Sequence, residues 1–300
     1  SAPAVLSLYA ILGYLIAAQD MRAVLYTQLL LNGLNMFLDI LFVSYFDYGI
    51  KGVAVATVCS EYIAAVVGIW LIRHRTGYRV KPTLTHRLLD GGAIRKLLNA
   101  NFNLFIRTLC LIFSFAWFTN RSAQLGDLYL AANAVLLHLQ TISAYALDGF
   151  AHAAETLVGH AVGRRNRSAL LATIRISTLW ALIVSSLISL IYLIAGHHLL
   201  SWMTNHSDVL ILARAYLPWV VIGPIIAVWS FQLDGIFIGA TRTREMRNAM
   251  LISLGGYLLA VEASTALAHN HGLWISLLLF FVLRALTLAF YMPRIIATTY

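Results

Sequence analysis

Asp39 stands four residues after Asn35 in a long apolar stretch, so on a helix the two side chains share one face. Thr57, in the next apolar stretch, can reach the same layer from a neighbouring helix. Carboxylate, amide oxygen and hydroxyl together form an oxygen set suited to a hard cation, or to a proton carried on the carboxyl group. The competing reading has Asp39 pairing with an arginine or capping a kink. A second set, Asp148, His152 and Glu155, follows the spacing i, i+4 and i+7 and lies on one helical stripe. It reads as a proton relay or substrate-cation site, as a metal site of imidazole and carboxylates, or as internal charge pairing with Arg107 and Arg284. His152-x-x-Glu155 lacks the adjacent histidine of a zinc-hydrolase motif. Asp234, beyond Pro218 and Pro224, is a further acid beside an expected bend, and Glu262 falls at a depth similar to Asn35 and Asp39.

Acids in such surroundings need a reason, because a charged side chain at the centre of a bilayer costs about 2.5 to 3.5 kcal/mol on insertion scales. That the surroundings are a bilayer follows from composition. Hydrophobic residues make up 60% of the 300 and charged residues 11%, whereas soluble domains carry about 25% charged residues. Cutting the chain at polar, glycine and proline punctuation leaves nine candidate spans, roughly 3–18, 24–46, 51–72, 98–119, 128–162, 169–195, 208–240, 247–268 and 272–292. The predicted class is therefore an all-α polytopic membrane protein with nine transmembrane helices. The fifth and seventh spans exceed what a bilayer requires, which predicts tilt or bending near Gly149, Pro218 and Pro224.

The net charge of +9 would suggest nucleic acid in a soluble protein, but the lysines and arginines sit in the loops between spans, without interleaved aromatics. Fifteen of them fall on one side: Arg22, the stretch from Arg73 to Lys96, Arg164, Arg165, Arg167, Arg242, Arg244, Arg247 and Arg294. Lys51 and Arg121 fall on the other, and Arg107, Arg175, Arg214 and Arg284 fall within spans. Because cations accumulate in short cytoplasmic loops, the C-terminus is predicted to be cytoplasmic and Ser1 external. Asp20-Met21-Arg22 and Glu245-Met246-Arg247 recur at an offset of 225 residues and superpose two three-helix blocks. The expected organisation is residues 1–72 as the second half of one six-helix lobe, 73–97 as a basic cytoplasmic linker and 98–300 as a complete six-helix lobe, with Ser1 at an internal break. Cys59 and Cys110 lie within apolar runs and read as small buried hydrophobes. No Walker A pattern or nucleophile elbow occurs. An enzyme is not indicated, no cofactor is implied, and the energy source would be an ion gradient.

The stretches Gln19-Asp20-Met21-Arg22, Asn35-Met36-Phe37-Leu38-Asp39 and Gly52-Val53-Ala54-Val55-Ala56-Thr57 resemble the second half of the N-lobe in multidrug and toxic compound extrusion (MATE) transporters. Arg107-Thr108-Leu109, Ala131-Ala132-Asn133-Ala134, Leu147 to Glu155, Gly159 to Gly163 and Leu233 to Ala240 resemble the DNA-damage-inducible branch of that family. The resemblance implies two six-helix lobes that export amphipathic, cationic compounds in exchange for H+ or Na+ by alternating access, from a bacterial inner membrane, as a monomer among lipids. It also implies that Asn35, Asp39 and Thr57 match the N-lobe cation site. Asp234 matches an acid that one branch uses in its C-lobe, where Asn103 and Arg107 stand in place of the expected glutamate partner. Asp148, Glu155, Asp234, Arg107 and Glu262 are accordingly expected along a substrate or proton pathway. Two rivals are a lipid-linked precursor flippase of the same superfamily and a membrane metalloenzyme centred on Asp148, His152 and Glu155.

Overall fold

A computed structural model describes residues 1–76 and 90–297; the expected linker cations Arg79, Lys81 and Arg87 lie outside the described residues. Every regular element is helical: α1 (Ala2–Ala17), α2 (Met21–Ile40) with a π-helical extension (Leu41–Tyr45), α3 (Gly49–Thr76), α4 (Gly91–Leu125), α5 (Asp127–Gly163), α6 (Arg167–Met203), α7 (Ser207–Gly239) and α8 (Thr243–Ala297). Among the described residues, seven helical stretches are long and apolar enough to cross a membrane, and α1, at 16 residues, is a shorter apolar helix. This follows from the runs themselves, because backbone N–H and C=O groups surrounded by hydrocarbon must pair within their own segment.

α8 is broken at Ala268 and His269, whose backbone leaves helical geometry. The break comes where the eighth and ninth apolar runs were separated. It lets 270–297 return against 243–267, and Gly272 allows the close approach, since a Cβ there would collide with the carbonyl of Ser264. Ser264 Oγ closes the corner by donating to the carbonyl of Gly272 at 2.9 Å.

Three turns share one device. Gln19, Arg165 and Thr241 each adopt positive φ (59°, 52° and 56°), and the next amide donates back to Leu15, Ala161 and Phe237 respectively, the Schellman pattern. Asp20 and Asn166 then cap α2 and α6, accepting from the amides of Ala23 and Ala169. This corrects the repeat register. Asp20 precedes its helix as a cap, whereas Glu245 lies inside the first turn of α8, so the two Met-Arg motifs are not structurally equivalent.

The chain forms two compact units, Ser1–Asp90 and Gly91–Tyr300. In the first, Leu8, Ile11, Leu15, Ala23, Ala64, Ala65 and Leu71 make a small core. The second has a larger one in which Phe118, Tyr257, Trp274, Phe280 and Phe281 are buried. There α5 and α7 approach closely through Gly235 and Gly239, where a Cβ would strike the carbonyls of Ala151 and Glu155.

Candidate functional site

In the first unit, α2 and α3 are joined by the short link 46–48 and pack side by side. Asn35 and Thr57 meet across them: Asn35 Nδ2 donates to Thr57 Oγ1 at 3.3 Å, and Thr57 donates back to the carbonyl of Val53 at 3.0 Å. With the Asn35 amide nitrogen as the donor, its carbonyl oxygen keeps its capacity to accept. Asp39, one turn further along α2, is half-buried, and its Oδ1 is shielded from solvent and has no hydrogen-bond partner. The structure joins Asn35 to Thr57 directly and places Asp39 beside them.

The second unit treats its acid differently. Asp234 is 5% exposed on α7, and its Oδ2 accepts from the guanidinium groups of Arg107 on α4 and Arg284 in the second segment of α8. Arg284, 1% exposed, also lies over the ring of Phe231. The sequence offers Arg107 and Arg284 as partners for the Asp148 stripe; both bond to Asp234 instead. Two cations on one anion leave an excess positive charge, and Asp148, half-buried on α5, lies within electrostatic reach of Arg107, Arg284, Asp234 and His152. Arg107 Nε and Arg284 Nε and Nη1 are shielded without partners. Asn103, one turn before Arg107, contacts Thr243 and accepts from Arg247 at 3.0 Å.

His152 and Glu155 form a local pair at 3.3 Å, with the histidine side chain 69% exposed. No three His, Cys, Asp or Glu side chains among the described residues group as a metal set. Glu262 is paired with Arg121 and largely exposed, near the end of its segment where Arg121 closes α4. It is thus engaged by a cation rather than set alone at depth. Trp202 and Tyr45 project from helix ends, whereas Trp219 donates to His271 at 3.0 Å.

Two features escaped the sequence. Asn133 and Asn270, both buried, exchange amide hydrogen bonds of 2.7 and 3.1 Å, and Trp274 Nε1 donates to Asn133 at 2.9 Å. This amide pair pins the segment just after the α8 break. Beside it a recess of about 230 Å³ is lined by Thr119, Ser122, Asn133, His138 and Thr141 with apolar walls. The second feature is Glu61 on α3, whose Oε2 is likewise shielded and unpartnered. Its place four residues after Thr57, inside an apolar run, was the signal available for it.

Residues 104–261 match the family model MatE. The chain is 39% identical over 289 residues to DNA damage-inducible protein F of Escherichia coli K12, covering 96% of this chain and 63% of that relative. It is 24% identical over 229 residues to the probable multidrug resistance protein NorM of Thermotoga maritima, covering 75% of this chain and 48% of that protein. The chain thus spans less than two thirds of these relatives' length. Among solved structures, the Vibrio cholerae MATE transporter VcmN D35N mutant superposes with a TM-score of 0.86 at 17% identity, over 96% of this chain and 65% of that one. An outward-facing multidrug resistance MATE family transporter gives 0.81, also at 17% identity, over 96% and 65%. With its family model matched over more than half its length and the same fold in solved transporters, the chain belongs to the MATE family.

Proposed function

We propose that this protein is a cation-coupled antiporter that exports amphipathic, cationic compounds, and that Asp39 is the group that binds and releases the coupling ion. The observation that carries this reading is the Asp39 oxygen, shielded and without a partner one turn from the Asn35–Thr57 hydrogen bond. An ionised carboxylate so placed is costly unless a proton or a cation neutralises it. Filling the site removes that cost and emptying it restores it. Such a difference between states is what a bound ion needs in order to shift a conformational equilibrium. Asn35 and Thr57 supply further oxygens, suited to Na+ or to hydrogen-bonding a protonated carboxyl.

In the second unit the Arg107–Asp234–Arg284 group sets the local charge, and Asp148 and Glu155 bear on substrate or ion affinity. The recess beside Asn133 offers hydroxyl oxygens and apolar walls to an amphipathic cation. We read the chain as crossing the membrane nine times, with α8 counted twice across its break. Residues 1–72 and 98–300 belong to two lobes joined by 73–97, with the C-terminus cytoplasmic and the protein monomeric. The loop cations and the seven membrane-length helical stretches support this topology.

The test is export of a fluorescent organic cation from proteoliposomes under an imposed H+ or Na+ gradient. Export driven by one of the gradients is expected and names the ion. A well-folded protein that exports no cation under either would move the assignment to a lipid-linked precursor flippase.

A further inference from the structure

Glu61 is a membrane-depth acid that the ion site described above does not use. It lies near the middle of the span Gly49–His74. Its Oε2 is shielded from solvent and accepts no hydrogen bond. Four residues separate it from Thr57, so the two share a face of α3, and the Asn35–Thr57 bond turns that face toward α2. Because α2 and α3 are antiparallel across the 46–48 link, Asp39 and Glu61 fall on opposite sides of the bond. Each lies one turn, about 6 Å, from it along the helix axes. The two carboxyls are therefore about 12 Å apart along one seam, too far to hold one ion together. The Asn35 amide and the Thr57 hydroxyl, each with one side-chain oxygen, stand between them along the helix axes.

Most other titratable groups on these helices are open to solvent. Tyr9 and Tyr14 of α1, Arg22 and Tyr26 of α2, and Lys51 and Tyr62 of α3 are exposed, and Cys59 is half-buried. Among the described residues no salt bridge reaches Glu61 or Asp39, in contrast to Asp234.

We propose that Glu61 is a second coupling-ion carboxyl, which exchanges the cation with Asp39 past the Asn35–Thr57 pair; this rests on the antiporter reading above. For a proton, the O–H bond of one carboxylic acid breaks and, after relay through water and the Thr57 hydroxyl across the roughly 12 Å between them, an O–H bond forms on the other, so the pair holds one proton before and after. For Na+, the ion leaves one carboxylate for the other by way of the two intervening oxygens. With one ion on the seam, one carboxyl is neutralised while the other is ionised, so the exchange changes which end of the seam carries the charge.

The experiment is infrared difference spectroscopy of the intact protein in lipid membranes, with pH and Na+ stepped separately, on the parent, Asp39→Asn and Glu61→Gln. The expected result is two carboxyl signals, one lost in each variant, responding to pH for a proton-coupled seam or to Na+ for a sodium-coupled one. In parallel, Glu61→Gln should weaken the ion dependence of export about tenfold, and Glu61→Asp should restore part of it. A Glu61→Gln spectrum identical to the parent, in folded protein, would overturn the proposal. Because the spectra do not depend on transport, they decide the role of Glu61 even if export fails. Loss of export in the parent, with both carboxyl signals present, would instead count against the antiporter reading.

Discussion

The two units each bury a carboxylate within apolar helices, and they neutralise it in opposite ways. Asp234 is held by two arginines of its own unit, so its charge is balanced in place. Asp39 has an amide and a hydroxyl nearby, no cation among the described residues, and an oxygen without a partner. A carboxylate already compensated by fixed cations gains little from taking up an ion. One that has no fixed cation depends on the ion. The comparison teaches that acidity at membrane depth does not by itself mark a coupling site; what marks it is the absence of a built-in counter-charge.

The largest effect should come from breaking the fixed group. Asp234→Asn leaves Arg107 and Arg284 together without the anion they share, and removing one member of a buried ion pair costs about 3 to 5 kcal/mol. A clear fall in thermal unfolding temperature in detergent should result, partly reversed when Arg284→Gln is added. If the double variant is no better than the single, the ionic account of that group is wrong.

Next is the contact that brings α7 against α5. Gly235→Ala places a methyl against the Ala151 carbonyl, and overpacking of this kind costs about 1 to 3 kcal/mol, read as lower thermal stability. Gly149→Ala on the same helix pair, where a Cβ meets nothing within 4 Å, should leave stability near the parent's.

In the first unit, Thr57→Val keeps the shape but removes an oxygen and a hydrogen bond worth about 0.5 to 1.5 kcal/mol. The ion concentration for half-maximal export should rise several-fold while substrate binding holds. An unchanged ion dependence would remove Thr57 from the site. The smallest effect is expected at Glu262→Gln. Its exposed pairing with Arg121 resembles surface ion pairs worth about 0 to 1 kcal/mol, and export and stability should both stay close to those of the parent.

The sequence carried the helices because apolar runs of membrane length have few alternatives, and the punctuation at 268–271 fell on the backbone break at Ala268 and His269. It also brought Asn35 and Thr57 to one layer, since i, i+4 spacing fixes a face and a short link fixes antiparallel neighbours. Partner choice was not legible. Spacing says which way Arg107 and Arg284 face along their own helices but not which of several acids on α5 and α7 they meet; the close approach at Gly235 and Gly239 decides that. The repeat register misled for a related reason. Matching letters at Met21-Arg22 and Met246-Arg247 conceal a three-residue difference relative to the turns, which only the Schellman hydrogen bonds reveal. Glu61 was legible in principle, as a lone acid one turn beyond Thr57, and its shielded, unpartnered oxygen makes it matter.

The most direct test of the central claim is ion-gradient-driven export by Asp39→Asn in proteoliposomes, compared with the parent and with Asp234→Asn at equal amounts of folded protein. The account predicts that Asp39→Asn loses at least tenfold of gradient-driven export while still binding the cationic substrate, and that in Asp234→Asn export follows the folded fraction and keeps the parent's ion dependence. Asp39→Asn exporting like the parent, with the ion dependence lost in Asp234→Asn instead, would contradict it.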